Sequence, residues 1–111
     1  MTVLTFETAT DWEAWLAGNH ELEGGVWLKI AKKHAGVATV SIDEALDIAL
    51  CYGWIDSQRK PYDATYYLQR YSRRRSKSPW SKINLARVEE LTGAGRMRAP
   101  GLAALQAARV G

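Results

Sequence analysis

Residues 41–56 read Ser41-Ile42-Asp43-Glu44-Ala45-Leu46-Asp47-Ile48-Ala49-Leu50-Cys51-Tyr52-Gly53-Trp54-Ile55-Asp56, and the hydrophobic period changes inside this stretch. Ser41 and Glu44 form a capping box, in which the Ser hydroxyl accepts the N3 amide and the Glu carboxylate reaches back to the cap amide. Ile42, Ala45, Leu46, Ala49 and Leu50 then fall at i, i+3, i+4, i+7 and i+8, one continuous apolar stripe of an amphipathic helix. Gly53 ends that helix, because glycine takes the left-handed conformation that closes a C-terminus. From Trp54 to Lys60 the pattern is strand-like.

Working outward, Tyr66 to Arg74 is a second strand-like stretch, joined to the first by the loop Pro61-Tyr62-Asp63-Ala64. So short a loop makes the pair antiparallel. Beyond it, Ser78-Pro79 predicts an N-cap with proline at the first helical position. That helix runs to about Thr92, burying Trp80, Ile83, Val88 and Leu91, and Gly93 stops it. Ala99-Pro100-Gly101 leads into a short Ala-rich helix, Leu102 to Ala108. Upstream, Gly24-Gly25 opens a strand from Val26 to Lys33, with Val26, Leu28 and Ile30 inward and Trp27, Lys29 and Lys33 outward. Val37 to Val40 reads equally as a short extension or as a second small strand. Thr10-Asp11-Trp12-Glu13 reads as a further capping box, with Trp12, Trp15 and Leu16 on one face and Gly18 as the stop. The order helix, strand, helix, strand, strand, helix, helix predicts an α+β fold: a small twisted antiparallel sheet with helices packed on one face.

Composition fits one domain, residues 1–111. Apolar residues are 47% and charged residues 24%, the ordinary globular range, which excludes wholesale disorder. No apolar stretch is long enough to span a bilayer, and no signal peptide is visible, so the expectation is a cytoplasmic protein without membrane partners. A single cysteine, Cys51, excludes an internal disulfide and a thiolate zinc cluster; near a helix C-terminus it reads as a core residue rather than a nucleophile. No metal-ligand spacing, phosphate loop or nucleotide fingerprint is present, so no metal and no cofactor is expected.

The net charge of +3 conceals a division. Residues 1–56 carry three Lys against nine acids, net −6, and residues 57–111 carry three Lys and nine Arg against three acids, net +9. The basic residues concentrate in 59–82. Arg59, Arg70, Arg73, Arg74, Arg75, Lys77 and Lys82, with Ser78 at the expected helix start, are the candidate anion-binding set. Guanidinium forks match phosphate oxygens, and Trp27, Trp54, Tyr67, Tyr71 and Trp80 are candidate stacking or pocket residues. The opposing interpretation is that the basic half is neutralised by the acidic half, with Asp56 pairing to an arginine such as Arg70.

At this point a family comes into view. Ala49 through Asp56, then Gln69-Arg70-Tyr71, then Arg74 through Asn84, then Gly95-Arg96-Met97 resemble the YdeI/OmpD-associated family of the YjbR/CyaY-like superfamily. The resemblance covers nearly the whole chain and implies a compact α+β domain of bacterial origin. It also implies an association with porin regulation and with protection against bacteriocins or antimicrobial peptides, while YjbR-type relatives are DNA-binding-like. Members commonly carry a further C-terminal segment that this sequence does not show, and Arg73 stands where the family's motif has a proline.

Three functions follow as expectations. The first is non-catalytic binding of nucleic acid or another polyanion, with weak sequence preference, through 59–82. The second is a small-molecule pocket or enzyme built from Trp27, Trp54, Asp56, Arg70 and Tyr71, with Asp56 or Tyr71 as the catalytic acid or base. The third is a protein-interaction or stress-protection module, including a homodimer, through an exposed edge of the first strand or a Trp patch.

Overall fold

The computed structural model describes residues 2–75 and 79–110. Along the chain come β1 (Val3–Leu4), α1 (Ala9–Asn19), β2 (Val26–Ala31), α2 (Ile42–Cys51), β3 (Trp54–Pro61), β4 (Tyr66–Arg73), α3 (Lys82–Gly93) and α4 (Ala99–Val110). The strands form one sheet in the order β1-β2-β4-β3. β1 is parallel to β2, while β4 is antiparallel to both β2 and β3. The fold is α+β as expected, but the sheet is mixed rather than antiparallel. Only β4 runs against the others, and the parallel strands are connected through α1 and α2, as parallel pairing requires. β1 also pairs the outer side of β2 at Trp27 and Leu28, covering that part of the strand edge expected to support a homodimer.

The capping box at Ser41 forms as predicted, with Glu44 N donating to Ser41 Oγ and Ser41 N to Glu44 Oε1, both at 3.1 Å. Ala45, Ile48, Ala49, Leu50 and Cys51 are buried on α2. They meet Trp12 and Leu16 of α1, Val26, Leu28 and Ile30 of β2, Trp54, Tyr71, and Val88, Leu91 and Leu105 of the last two helices in one core. Two buried indoles are hydrogen-bonded: Trp12 Nε1 donates to Ala45 O at 3.1 Å and Trp54 Nε1 to His20 O at 2.8 Å. Burial pushes the Cys51 thiol up, consistent with a core role.

Three helix starts differ from expectation. α1 begins at Ala9 because Thr8, not Thr10, is the cap, accepting from Asp11 N. α3 begins at Lys82 because Ser81 is its cap, accepting from Asn84 N, so Pro79 precedes the helix. With that frame Ile83 is 73% exposed, not buried. α4 starts three residues earlier than predicted, and Gly101 in its first turn lies against the Cys51 carbonyl, where a Cβ would collide. The segment 37–40 forms no strand; Val40 N donates to Phe6 O and Thr39 Oγ1 accepts from Ala31 N. Among the described residues no helix is long and apolar enough to cross a membrane.

Candidate anion-binding surface

Register decides where each basic side chain goes. On β2 and β4 the pairs Val26–Tyr71, Leu28–Gln69 and Ile30–Tyr67 face the helices, and Trp27–Arg70, Lys29–Leu68 and Ala31–Tyr66 face away. β3 contains a bulge between Asp56 and Arg59. Asp56 is level with Tyr71 and Arg59 with Gln69, so one extra residue resets the alternation. Arg59 consequently joins the helix-side face and Lys60 the outer face, level with Leu68. Gln69, 2% exposed, serves this irregularity: its side-chain amide donates to Gln58 O at 3.0 Å.

The arginines of the hairpin rest on neutral acceptors. Arg59 Nε donates to Gln69 Oε1 at 3.0 Å, with its guanidinium 4.8 Å from the Tyr67 ring centre. Arg70 Nη2 donates to Gly24 O at 2.7 Å, and Arg73 Nη1 to Glu21 O at 3.3 Å. Among the described residues none of these three meets a carboxylate at ion-pair distance. Ion pairs form elsewhere, between Arg87 and Asp47 at 2.8 Å and Asp43 at 3.1 Å, and between Arg98 and Glu13 at 3.8 Å. These pairs tie the acidic half of the chain to α3 and to the residue just before α4. Arg74 lies 3.8 Å over the Trp80 ring, where burial lowers its pKa without removing its charge. Arg75 is exposed.

Arg73, Arg74 and Arg75 separate two concavities. One, of about 580 Å³, lies against the alanine face of α4, with His20, Glu21 and Tyr52 on its wall. The other, of about 500 Å³, adds Glu23, Gly24, Arg70 and Ser72. The four arginines Arg70, Arg73, Arg74 and Arg75 thus form a single rim. Lys82 is exposed at the first position of α3. Lys77 and Ser78 lie outside the described residues.

Several expected roles do not match this geometry. Trp54 and Tyr71 are fully buried in the core and offer no face to a ligand base. Tyr67 is half-buried on the helix side under Arg59, and Trp80 has Arg74 over its ring, a cation that a stacking base would have to displace. The pocket of Trp27, Trp54, Asp56, Arg70 and Tyr71 does not assemble, because Trp27 and Arg70 lie on one side of the sheet and the other three on the opposite side. For the same reason Asp56 does not pair with Arg70. Tyr71 is a poor acid or base: burial first, and the Asp56 charge second, push its hydroxyl far above the ordinary tyrosine range.

Sequence reasoning counted Lys60, Tyr62 and Tyr66 within the stretch 59–82 without giving them a role, and left Lys29 out. Lys29 Nζ lies 4.7 Å from the Tyr62 ring centre and 5.0 Å from that of Tyr66, and Lys60 Nζ lies 4.9 Å from that of Trp27. Alternation along Val26–Ala31 already put Trp27 and Lys29 on one face. The missing information was which strand lies beside them and how the bulge turns Lys60.

The chain belongs to a family described as a domain of unknown function, DUF8412, whose model matches residues 4–104. No curated protein and no solved structure matches it. This corrects the resemblance to the YdeI/OmpD-associated family and the YjbR/CyaY-like superfamily, to which nothing links the chain. The shared Tyr52-Gly53-Trp54 run encodes a local need: Gly53 turns at φ 78° out of α2, and Trp54 enters the core.

Proposed function

We propose that this protein binds nucleic acid or a similar polyanion, without catalysis and with weak sequence preference, through Arg70, Arg73, Arg74 and Arg75. The observation that carries the reading is the anchoring of Arg70 and Arg73 on the neutral carbonyls of Gly24 and Glu21. A guanidinium fixed by a neutral acceptor keeps its full charge and has further N–H donors to offer. The four lie on one stretch of chain at the end of β4, spacing positive charge along a rim as a phosphate backbone requires. Contacts of this kind confer affinity and position but little sequence information. A cytoplasmic location, where nucleic acid is available, belongs to the same proposal.

The test is titration with short DNA and RNA, single- and double-stranded. If four phosphates are met, affinity for duplex falls about 100-fold between about 50 and 200 mM salt. The variant Arg73→Ala/Arg74→Ala/Arg75→Ala should weaken binding for every sequence and flatten the salt dependence. Affinity that is unchanged by salt, or by the triple variant, refutes the reading.

A further inference from the structure

The helices cover one side of the sheet, yet two apolar residues on the other side are also hidden. Leu68 is 2% exposed and Trp27 7% exposed, and neither belongs to the main core. Their cover includes lysine: Lys60 reaches across Leu68 to place its ammonium over Trp27, and Lys29 lies on the other flank of Leu68. Lysine stems can screen apolar surface while the ammonium stays in water. Rings screened in this way can be uncovered by a rotamer change, whereas rings under a helix cannot.

We propose that this outer sheet face is a stacking platform for single-stranded nucleic acid, an inference that rests on the polyanion-binding reading above. Lys29, Lys60 and Arg70 give the face three positive charges, and no Asp or Glu stands in its paired register among the described residues. The carboxylate of Asp63, in the loop at one end, is already held by the amides of Thr65 and Tyr66 at 2.8 Å. Tyr62, 49% exposed, and Tyr66 offer flat rings beside Lys29, and Trp27 lies further along the same face. The ammoniums over these rings are placeholders: phosphates can draw them aside while bases take the ring faces. Arg70 belongs both to this face and to the arginine rim, so a strand stacked on the sheet can continue along Arg73–Arg75. Duplex presents phosphates but keeps its base faces inside the stack, so it can use the rim and not the rings.

The experiment compares three probes on the full chain at low salt: a thymidine 12-mer, a duplex 12-mer and inorganic polyphosphate. The expected result is that the thymidine strand binds more tightly than the duplex. Tyr62→Ala and Tyr66→Ala should each weaken the thymidine strand about 5-fold or more while leaving polyphosphate within about 2-fold, since only stacking is lost. Tyr62 is a half-exposed loop residue, so its variant keeps the test available if Tyr66→Ala does not fold. Equal affinity for strand and duplex, or tyrosine variants that leave the thymidine strand unaffected, overturns the platform. In that case loss of polyphosphate binding in the triple arginine variant still upholds the polyanion reading. No binding of any probe overturns both.

Discussion

Gly53 lies where the chain leaves α2 for β3, and its replacement by alanine tests how that junction is built. Its φ of 78° is left-handed, a conformation costing an L-residue about 1–2 kcal/mol. A Cβ there would sit 2.8 Å from the Pro100 carbonyl oxygen and 3.3 Å from the Ala104 Cβ, and backbone cannot swing aside as a side chain can. Overpacking of that order adds about 1–2 kcal/mol. Gly53→Ala should therefore destabilise by about 2–4 kcal/mol, equivalent to a fall in Tm of about 8–16 °C for a domain of this size. Gly18 provides a control of opposite sign. It is exposed inside α1, with nothing within 4 Å of its would-be Cβ, so Gly18→Ala should stabilise by about 0.5–1 kcal/mol. Thermal unfolding by far-UV circular dichroism measures both. The strain also bears on the proposed site, because Gly53 O accepts Arg74 N at 2.9 Å and so sets the start of the arginine rim. If Gly53→Ala melts within about 2 °C of the parent, the strain and close-approach argument is wrong.

Tyr71→Phe should be neutral or raise stability by up to about 1 kcal/mol, because its buried hydroxyl has no hydrogen-bond partner among the described residues; a clear drop in Tm would show that the hydroxyl is satisfied. Arg87→Ala should cost about 1 kcal/mol by denaturant unfolding, a figure held low by the partial exposure of the groups involved, since it unties Asp43 and Asp47 of α2 from α3. A double-mutant cycle with Asp47→Asn showing no coupling would contradict this. Asp63 titrates below its ordinary 3.8, first through the Tyr66 amide and then the Thr65 amide. A depressed carboxyl stabilises the fold above its unfolded pKa and loses that contribution as pH falls through the folded value. The loop amide resonances should accordingly hold steady down to about pH 4 and shift only below it; a midpoint above the ordinary value would exclude the hydrogen bonds.

Legibility followed the range of the interaction. The capping box of Ser41 and Glu44 is complete within four residues, and the sequence announced it. Gly53 was readable because a left-handed turn leaves its mark at one position. The hairpin of β3 and β4 was readable from its short loop. Thr10 was taken for the cap in place of Thr8 because each stands three residues before an acid. The choice is made remotely, where the Trp12 indole docks on Ala45 O. Two-residue β1 has no periodicity to detect and exists only because β2 offers an edge. In the candidate site, the crowding of Arg70, Arg73, Arg74 and Arg75 into one stretch was legible, but their separation from the buried Trp54 and Tyr71 was not.

What the sequence determined alone was local: the α+β grammar, the Ser41 cap, the alternating faces of β2 and the concentration of arginine after residue 57. The tertiary structure decided the rest, beginning with the insertion of β4 between β2 and β3. That insertion placed Trp27 beside Arg70, and the single extra residue in β3 sent Lys60 to one face and Arg59 to the other. Side chains alternate with period two, so a one-residue shift reverses every position that follows. The shift is held by Gln69 reaching across to Gln58, a contact between strands that no local pattern encodes.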